Sequence, residues 1–197
     1  MIEKGLYYAN DEFASMIKSV GGTWNDTKRR PIVCLIKSSK NPNIYWAIPM
    51  GNYKHRTTEQ QDRIQMYLNY PENDIRSCYY HLGRTTAKSI FFISDAIPII
   101  EKYIDEEHVG ADRKHYIIKN SKLSSELERK LLRILSIENS KPNSFRQHIT
   151  DVYKHLENEL IKWLLIKLLV LLRIFLIDNK TIFTHFYQRN EFFVASL

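Results

Sequence analysis

The stretch Pro31-Ile-Val-Cys-Leu-Ile-Lys-Ser-Ser-Lys-Asn-Pro-Asn-Ile-Tyr-Trp-Ala-Ile-Pro-Met-Gly-Asn-Tyr-Lys-His-Arg56 decides how the chain folds. It opens on a continuous apolar run, Pro31 to Ile36, the pattern of a core strand. Lys37 to Asn43 contains Ser38, Ser39, Asn41 and Pro42, the chemistry of a hairpin connection. Ile44 to Ile48 returns as the partner strand, and the apolar run stops at Pro49. Gly51 and Asn52 supply turn chemistry, and Tyr53, Lys54, His55 and Arg56 follow as a compact set of an aromatic, cations and an imidazole. A rigid strand that delivers such a turn is how a site is set on a scaffold.

Upstream, Gly5 to Ala9 reads as a first strand. Asn10 is an N-cap for a helix carrying Phe13, Met16, Ile17 and Val20, with Asp11 and Glu12 in its first turn to suit the dipole. Gly21-Gly22 stops that helix, and Thr23 to Arg30 is a polar loop with Trp24, Lys28, Arg29 and Arg30. Downstream, Thr57 with Gln60, or Thr58 with Gln61, caps a helix through Ile64, Tyr67 and Leu68 that ends at Pro71. Arg76 to Leu82 is strand-like, Gly83 to Lys88 a polar turn, Ser89 to Ser94 a strand, and Asp95 to Tyr103 a short return to the core. Ser125 and Glu128 form a capping box for a helix that buries Leu127, Leu131, Leu132, Ile134 and Leu135 and carries Arg129, Lys130 and Arg133. Asn139 to Asn143 breaks it, and another helix starts near Ser144. Strands come before residue 100 or so and helices after it. The expected class is therefore α+β, a compact, curved antiparallel sheet with surrounding helices.

The 197 residues allow one domain with a sizeable core. Apolar residues make up 44% and charged residues 26%, which excludes a disordered chain. The net charge of +7 fits a polyanionic partner, or simply a basic soluble protein. Cys34 and Cys78 sit in apolar surroundings without metal-site spacing, and are read as buried thiols in a reducing cytoplasm; a disulfide between them stays open. No signal peptide opens the chain, so the expected location is cytoplasmic. Ile161 to Ile177 is nearly all apolar but holds Lys162, Lys167 and Arg173. It falls short of the ~20 apolar residues of a membrane span. A buried or partner-facing helix ranks first, a membrane-surface helix second and a span third.

Asp95, Glu101 and Asp105 match no metal-site spacing, and the phosphate-cradling and nucleophile-elbow motifs are missing from the sequence. RNA cleavage without metal or other cofactor needs less. The 2′-hydroxyl is the nucleophile, and the protein moves protons and stabilises the phosphorane. Two clusters have the right groups. One is Asn52 to Arg56; the other is His81-Leu-Gly-Arg84-Thr85-Thr86-Ala-Lys88-Ser89. An imidazole titrates near neutral pH, which makes His55 the acid or base. Lys54 and Arg84 suit the developing charge, and Tyr53 could stack on a base. The plain alternative is a pair of solvated turns, with His81 an ordinary half-buried strand residue. The loop Trp24 to Arg30 and the helix with Arg129, Lys130 and Arg133 are further basic surfaces.

Four blocks, Arg30 to Ile36, Tyr45 to Arg56, Ser77-Cys-Tyr-Tyr-His81 and Ser89-Ile-Phe-Phe-Ile-Ser-Asp-Ala-Ile-Pro-Ile99, resemble the toxins of bacterial type III toxin–antitoxin systems. These are the ToxN, CptN and TenpN group, with the abortive-infection protein AbiQ as a relative, and the chain looks most like CptN. The resemblance spans residues 1 to 160 and leaves 161 to 197 as a hydrophobic helical extension. It implies a Kid/MazF-like curved sheet and a metal-independent, sequence-selective endoribonuclease that leaves 2′,3′-cyclic phosphates. It also implies an antitoxin pseudoknot RNA that the toxin processes and that inhibits it in a closed protein–RNA assembly, cellular or phage RNA as substrate, and a part in phage defence. The ToxN branch has Thr-Ser-Pro-Lys-Lys where Met50-Gly51-Asn52-Tyr53-Lys54 stands here, so its hydroxyl pair is missing. A TenpN-like Asn-x-Arg-His pattern fits better and gives Asn52, Lys54 and His55. On this reading His55 is the acid or base, Lys54 the phosphorane stabiliser and Asn52 a positioning group. Arg84, Thr85 and His81, with Ser89 beside them, hold the scissile phosphate. Trp24, Lys28, Arg29, Arg30, Tyr53 and Arg56, with Arg129, Lys130 and Arg133, grip flanking RNA. A non-catalytic RNA-binding module and a membrane-associated effector are the alternatives.

Overall fold

A computed structural model of the protein describes residues 1–25, 29–110 and 112–170. Residues 1–156 form one compact unit. The strands are β1 (Gly5–Ala9), β2 (Pro31–Lys37), β3 (Tyr45–Asn52), β4 (Tyr80–Arg84), β5 (Lys88–Phe92), β6 (Ile97–Ile99) and β7 (Ile104–Glu107). The helices of this unit are α1 (Asp11–Ser19), α2 (Thr58–Leu68), α3 (Ser121–Ser140) and α4 (149–156). The class is α+β. Every strand pairing is antiparallel, in the order β4-β5-β3-β2-β1-β7, with β6 also paired to β3.

The β2–β3 hairpin forms as its composition predicts, but β3 does not stop at Pro49. It runs on to Asn52. The reason is that β3 changes partners. Residues 45–47 pair with β6 and residues 50–52 with β5, while β2 pairs along the other edge. Pro49, which has no N–H to donate, falls in the gap between β6 and β5, where a proline costs the ladder least.

Successive side chains of β2 and β3 point to opposite faces. Val33, Leu35, Ile48 and Met50 face a core shared with Leu123, Leu127, Leu131 and Ile134 of α3 and with Ile149. The helix begins four residues before the Ser125–Glu128 box: Asn120 is its N-cap and accepts from the Leu123 N–H at 3.1 Å. Leu132, expected in the core, is 52% exposed. Buried Glu138 ties α3 to α4, accepting from the backbone N–H groups of Asn143, Ser144 and Thr150 at 2.6, 3.0 and 3.1 Å. Bonds to a charged acceptor are worth about 1.5–3 kcal/mol each, so this loop is firmly set.

Both sequence-read caps upstream of α3 are present. Asn10 accepts from the Phe13 N–H, and Thr57 and Gln60 form the reciprocal box, which selects that pair over Thr58 and Gln61. Gly21 has φ +82°, the left-handed conformation that stops α1. The strand expected from Arg76 begins only at Tyr80; Ile75–Cys78 is a tight helical turn, with Asp74 capping it through the Arg76 N–H at 2.8 Å. Both cysteines are buried and free. Cys78 belongs to the α3-side core and Cys34 does not, and burial pushes the Cys34 thiol well up.

Residues 157–170 are helical. Ile161, Trp163, Leu164, Leu165, Ile166, Leu168, Leu169 and Val170 are all more than half exposed there, so the described part of the apolar run is not core. Among the described residues no helix is long and apolar enough to cross a membrane. The rest of the 161–177 run lies outside the described residues.

Candidate nucleic-acid interface

The end of β3 carries the candidate site because the chain turns there within three residues. Asn52 closes the turn: its Oδ1 accepts from the Lys54 N–H at 2.9 Å, capping the single helical turn Tyr53–His55. Its side-chain oxygen therefore serves the backbone first. The cap tips Lys54 and His55 into solvent and buries Tyr53. Opposite, β5 pairs Ser89 with Asn52, and β4 and β5 bring Arg84 directly across from Lys88.

These elements border an open cleft of about 720 Å³ lined by Lys54, Arg84 and Lys88, with Asn52, Leu82, Gly83, Thr86 and Ala87 completing the lining. The lining has three cations and no carboxylate. Like charges facing across an antiparallel ladder repel, and none of the three has an ion-pair partner among the described residues. Such a cleft is tuned for an anion with several charged oxygens. Lys54 and Arg84, which stand thirty residues apart in sequence, do converge. His55 lies on the same turn but does not line the cleft.

A second group of cations gathers on the other side of that turn. The guanidiniums of Arg30 and Arg56 both lie over the Phe92 ring, 5.7 and 5.1 Å from its centroid. Burial first, and then the charge of Arg30, push the Arg56 guanidinium down from its ordinary value, and its buried Nε has no hydrogen-bond partner. Gly51 makes this placement possible, because a Cβ at residue 51 would come 2.5 Å from Nη2 of Arg56. An anion would relieve the repulsion between the two guanidiniums.

Several expected site residues are employed elsewhere. Tyr53 is only 8% exposed; it accepts from Gln65 Nε2 at 3.2 Å and its ring is covered by Lys88 Nζ at 4.4 Å, so it has no face free for a base. Ser89 is buried and holds the hairpin closed, donating to the Ala87 carbonyl and bonding Thr85 Oγ1 at 2.8 Å, which also occupies Thr85. His81 turns toward α3, away from Arg84. Burial, and then the charge of Lys130, drive its imidazole down to about 4, and it does not line the cleft.

The basic stripe of α3 is likewise structural. Lys130 is buried and donates to the Ser77 and Tyr80 carbonyls at 2.8 and 2.9 Å. Arg133 donates to the Glu72 and Asn73 carbonyls, and Arg129 pairs with Glu72 and Glu126. All three fasten the 72–80 segment to α3. Arg29 is paired with Asp105 and Glu106 and lies over the Tyr8 ring at 4.8 Å. Trp24 lines a different pocket with Arg29 and Arg30, and Lys28 lies outside the described residues.

Sequence reasoning put Lys88 in the second cluster without giving it a role of its own, and missed the parts played by Phe92 and Gly51 at the site. A cross-strand signal for Lys88 existed in the hairpin, since a turn centred on Thr86 puts residues 84 and 88 opposite one another. The meeting of Arg30, Arg56 and Phe92 depends on three separate elements and left no local trace. Among the described residues no three His, Cys, Asp or Glu side chains gather in a metal-binding arrangement.

No family model matches the chain, and no curated protein matches it. Among solved structures it is similar to AbiQ, described as a lactococcal anti-phage endoribonuclease belonging to the type-III toxin–antitoxin system. The identity is 12%, the TM-score 0.46, and the match covers 71% of this chain and 82% of that one.

Proposed function

We propose that the protein is a metal-independent, sequence-selective endoribonuclease toxin of the type III toxin–antitoxin group, with residues 1 to 160 as the toxin domain. The observation that carries this reading is the carboxylate-free cleft lined by Lys54, Arg84 and Lys88 beside an imidazole on a capped turn. The sequence blocks around Arg30 to Ile36 and Tyr45 to Arg56 support the same group, and the nearer likeness to CptN rests on those blocks alone.

In the proposed step the 2′-hydroxyl loses its proton to a base and its oxygen attacks the adjacent phosphorus. The P–O5′ bond breaks, the 5′-oxygen gains a proton, and a 2′,3′-cyclic phosphate remains. Lys54 and Arg84 hold the non-bridging oxygens as charge builds on the phosphorane, with Lys88 beside them. His55 exchanges the proton, moving over the cleft when RNA fills it. Asn52 acts by fixing the turn. Arg30 and Arg56 grip a neighbouring phosphate. The substrate is cellular or phage RNA, and the antitoxin is a pseudoknot RNA that the toxin cuts from a repetitive transcript and then binds in a closed assembly, in the cytoplasm.

The test is cleavage of single-stranded RNA in EDTA. Products ending in 2′,3′-cyclic phosphate are expected, and Lys54→Ala and His55→Ala should each remove most of the rate while leaving thermal melting unchanged. Wild-type rates in both variants would move the site elsewhere. A non-catalytic RNA-binding protein is the second reading, favoured by the absence of His55 from the cleft lining. It expects RNA binding without any cleaved product.

A further inference from the structure

The cavity of about 340 Å³ on the α1 side of the sheet is not used by the cleavage step, and it has the make-up of a nucleotide pocket. Its floor is apolar, from Ala14 of α1, Ile32 of β2 and Pro49 of β3. Trp24 supplies an aromatic wall, held edge-on against Phe13 with ring centroids 5.5 Å apart. Most of the charge around the rim is already balanced. Asp95 takes two bonds from Arg146, at 3.2 and 2.7 Å, and Asp105 is paired with Arg29.

Two charged groups are left over. Asp11, in the first turn of α1, has no ion-pair partner among the described residues, and neither has Arg30. Arg30 belongs to the pocket wall and also to the pair of guanidiniums over Phe92. A ligand that satisfies both must be anionic at the Arg30 end and must offer hydrogen-bond donors at the Asp11 end, with a flat apolar body between. The volume is at the lower end of the range for small-molecule pockets, roughly 300 Å³ upward.

We infer that this pocket holds one nucleotide of a single-stranded RNA, its phosphate on Arg30, its base against Trp24 and Pro49, and its donor edge on Asp11. This rests on the nucleic-acid reading of the neighbouring cleft. A carboxylate accepts and cannot donate, so it discriminates among bases by their donors. Guanine presents two adjacent donors, N1–H and the N2 amino group, to one carboxylate. Uracil presents a single N3–H between two carbonyls, which repel a carboxylate. The pocket therefore favours guanine and disfavours uracil. It is a base-selecting subsite that shares only Arg30 with the phosphate-handling groups, and it is one origin of sequence selectivity.

The experiment titrates the full-length protein with 5′-GMP and 5′-UMP, following tryptophan fluorescence and, in parallel, ligand NMR. GMP should bind roughly fivefold or more tightly than UMP, the low end for one good bidentate base contact. D11N, which replaces one acceptor with a donor, should erase that ratio. W24F should keep it, W24A should weaken both nucleotides, and R30Q should weaken both equally. Equal affinities for GMP and UMP in the wild type, or a ratio untouched by D11N, would overturn the inference. Neither readout needs RNA to be cut. RNA cleavage with no GMP preference therefore sinks the pocket and spares the enzyme, whereas GMP selectivity without any cleavage sinks the enzyme and spares the pocket.

Discussion

Two basic regions of this protein look alike on paper and differ in kind. Helix α3 presents Arg129, Lys130 and Arg133 within five residues, and each is bonded to carbonyls or carboxylates of the 72–80 segment. The end of β3 and the β4–β5 hairpin bring together Lys54, Arg84 and Lys88 with no acid among the lining residues. The first set is a fastening, and the second has no carboxylate beside it in the cleft lining. What separates them is partnering, which a count of lysines and arginines cannot report.

The contrast can be broken by experiment, most forcefully at the cleft. Lys54→Ala and Arg84→Ala should each lower the single-turnover cleavage rate about 10²- to 10³-fold, as expected for a lost transition-state donor, with the urea midpoint unchanged. On α3 the roles should reverse. Lys130→Met strands two carbonyls beneath the helix and should cost about 2–3 kcal/mol in urea unfolding, while RNA affinity at a temperature where the variant is folded stays at the wild-type value. An activity loss without a stability loss in that variant would erase the distinction.

A smaller effect comes from His81, beside Lys130, Glu126 and Arg129. Its imidazole is held at about 4 against an ordinary 6.5. The unfolded chain therefore takes up a proton that the folded chain refuses, and stability falls as pH drops from about 6.5 toward 4, with no contribution above that window. With solvent screening of a partly exposed ring allowed for, the loss is on the order of 1 kcal/mol. His81→Asn should flatten that part of the stability–pH profile. Smallest of all is the salt response. Arg84→Gln and Lys88→Gln should each reduce the slope of log K against log salt for single-stranded RNA by about 0.7. Arg129→Gln and Arg133→Gln should leave it unchanged.

The local signals in the sequence were honest where one residue's chemistry fixes one bond. Asn10 and the Thr57–Gln60 box cap the helices they precede, and the β2–β3 hairpin lies where its apolar runs and polar connection put it. The readings that failed depended on partners far away in sequence. Pro49 looked like a strand end because the change of partner from β6 to β5 is a property of the sheet. Ser125 and Glu128 had the letters of a cap, but Asn120, five residues earlier, had the geometry. At the site, Lys54 and Arg84 were legible as cations on two turns whose strands come together. The occupation of Tyr53 and Lys130 by structural bonds was not, because the amide, lysine and carbonyls that occupy them come from other elements, and Ser89 is taken up by the turn of its own hairpin.

The two buried thiols give the fold a built-in clock. Cys34 lies in β2, at the centre of the sheet, and burial disfavours its thiolate, the form that reacts with alkylating reagents. Cys78 lies under α3, in the segment that Lys130 fastens. Labelling of either therefore has to wait for a local or global opening. The two rates, read by mass spectrometry, time the release of the β2 layer and of the α3 layer independently in one sample. RNA bound at the β3 end should slow the first more than the second.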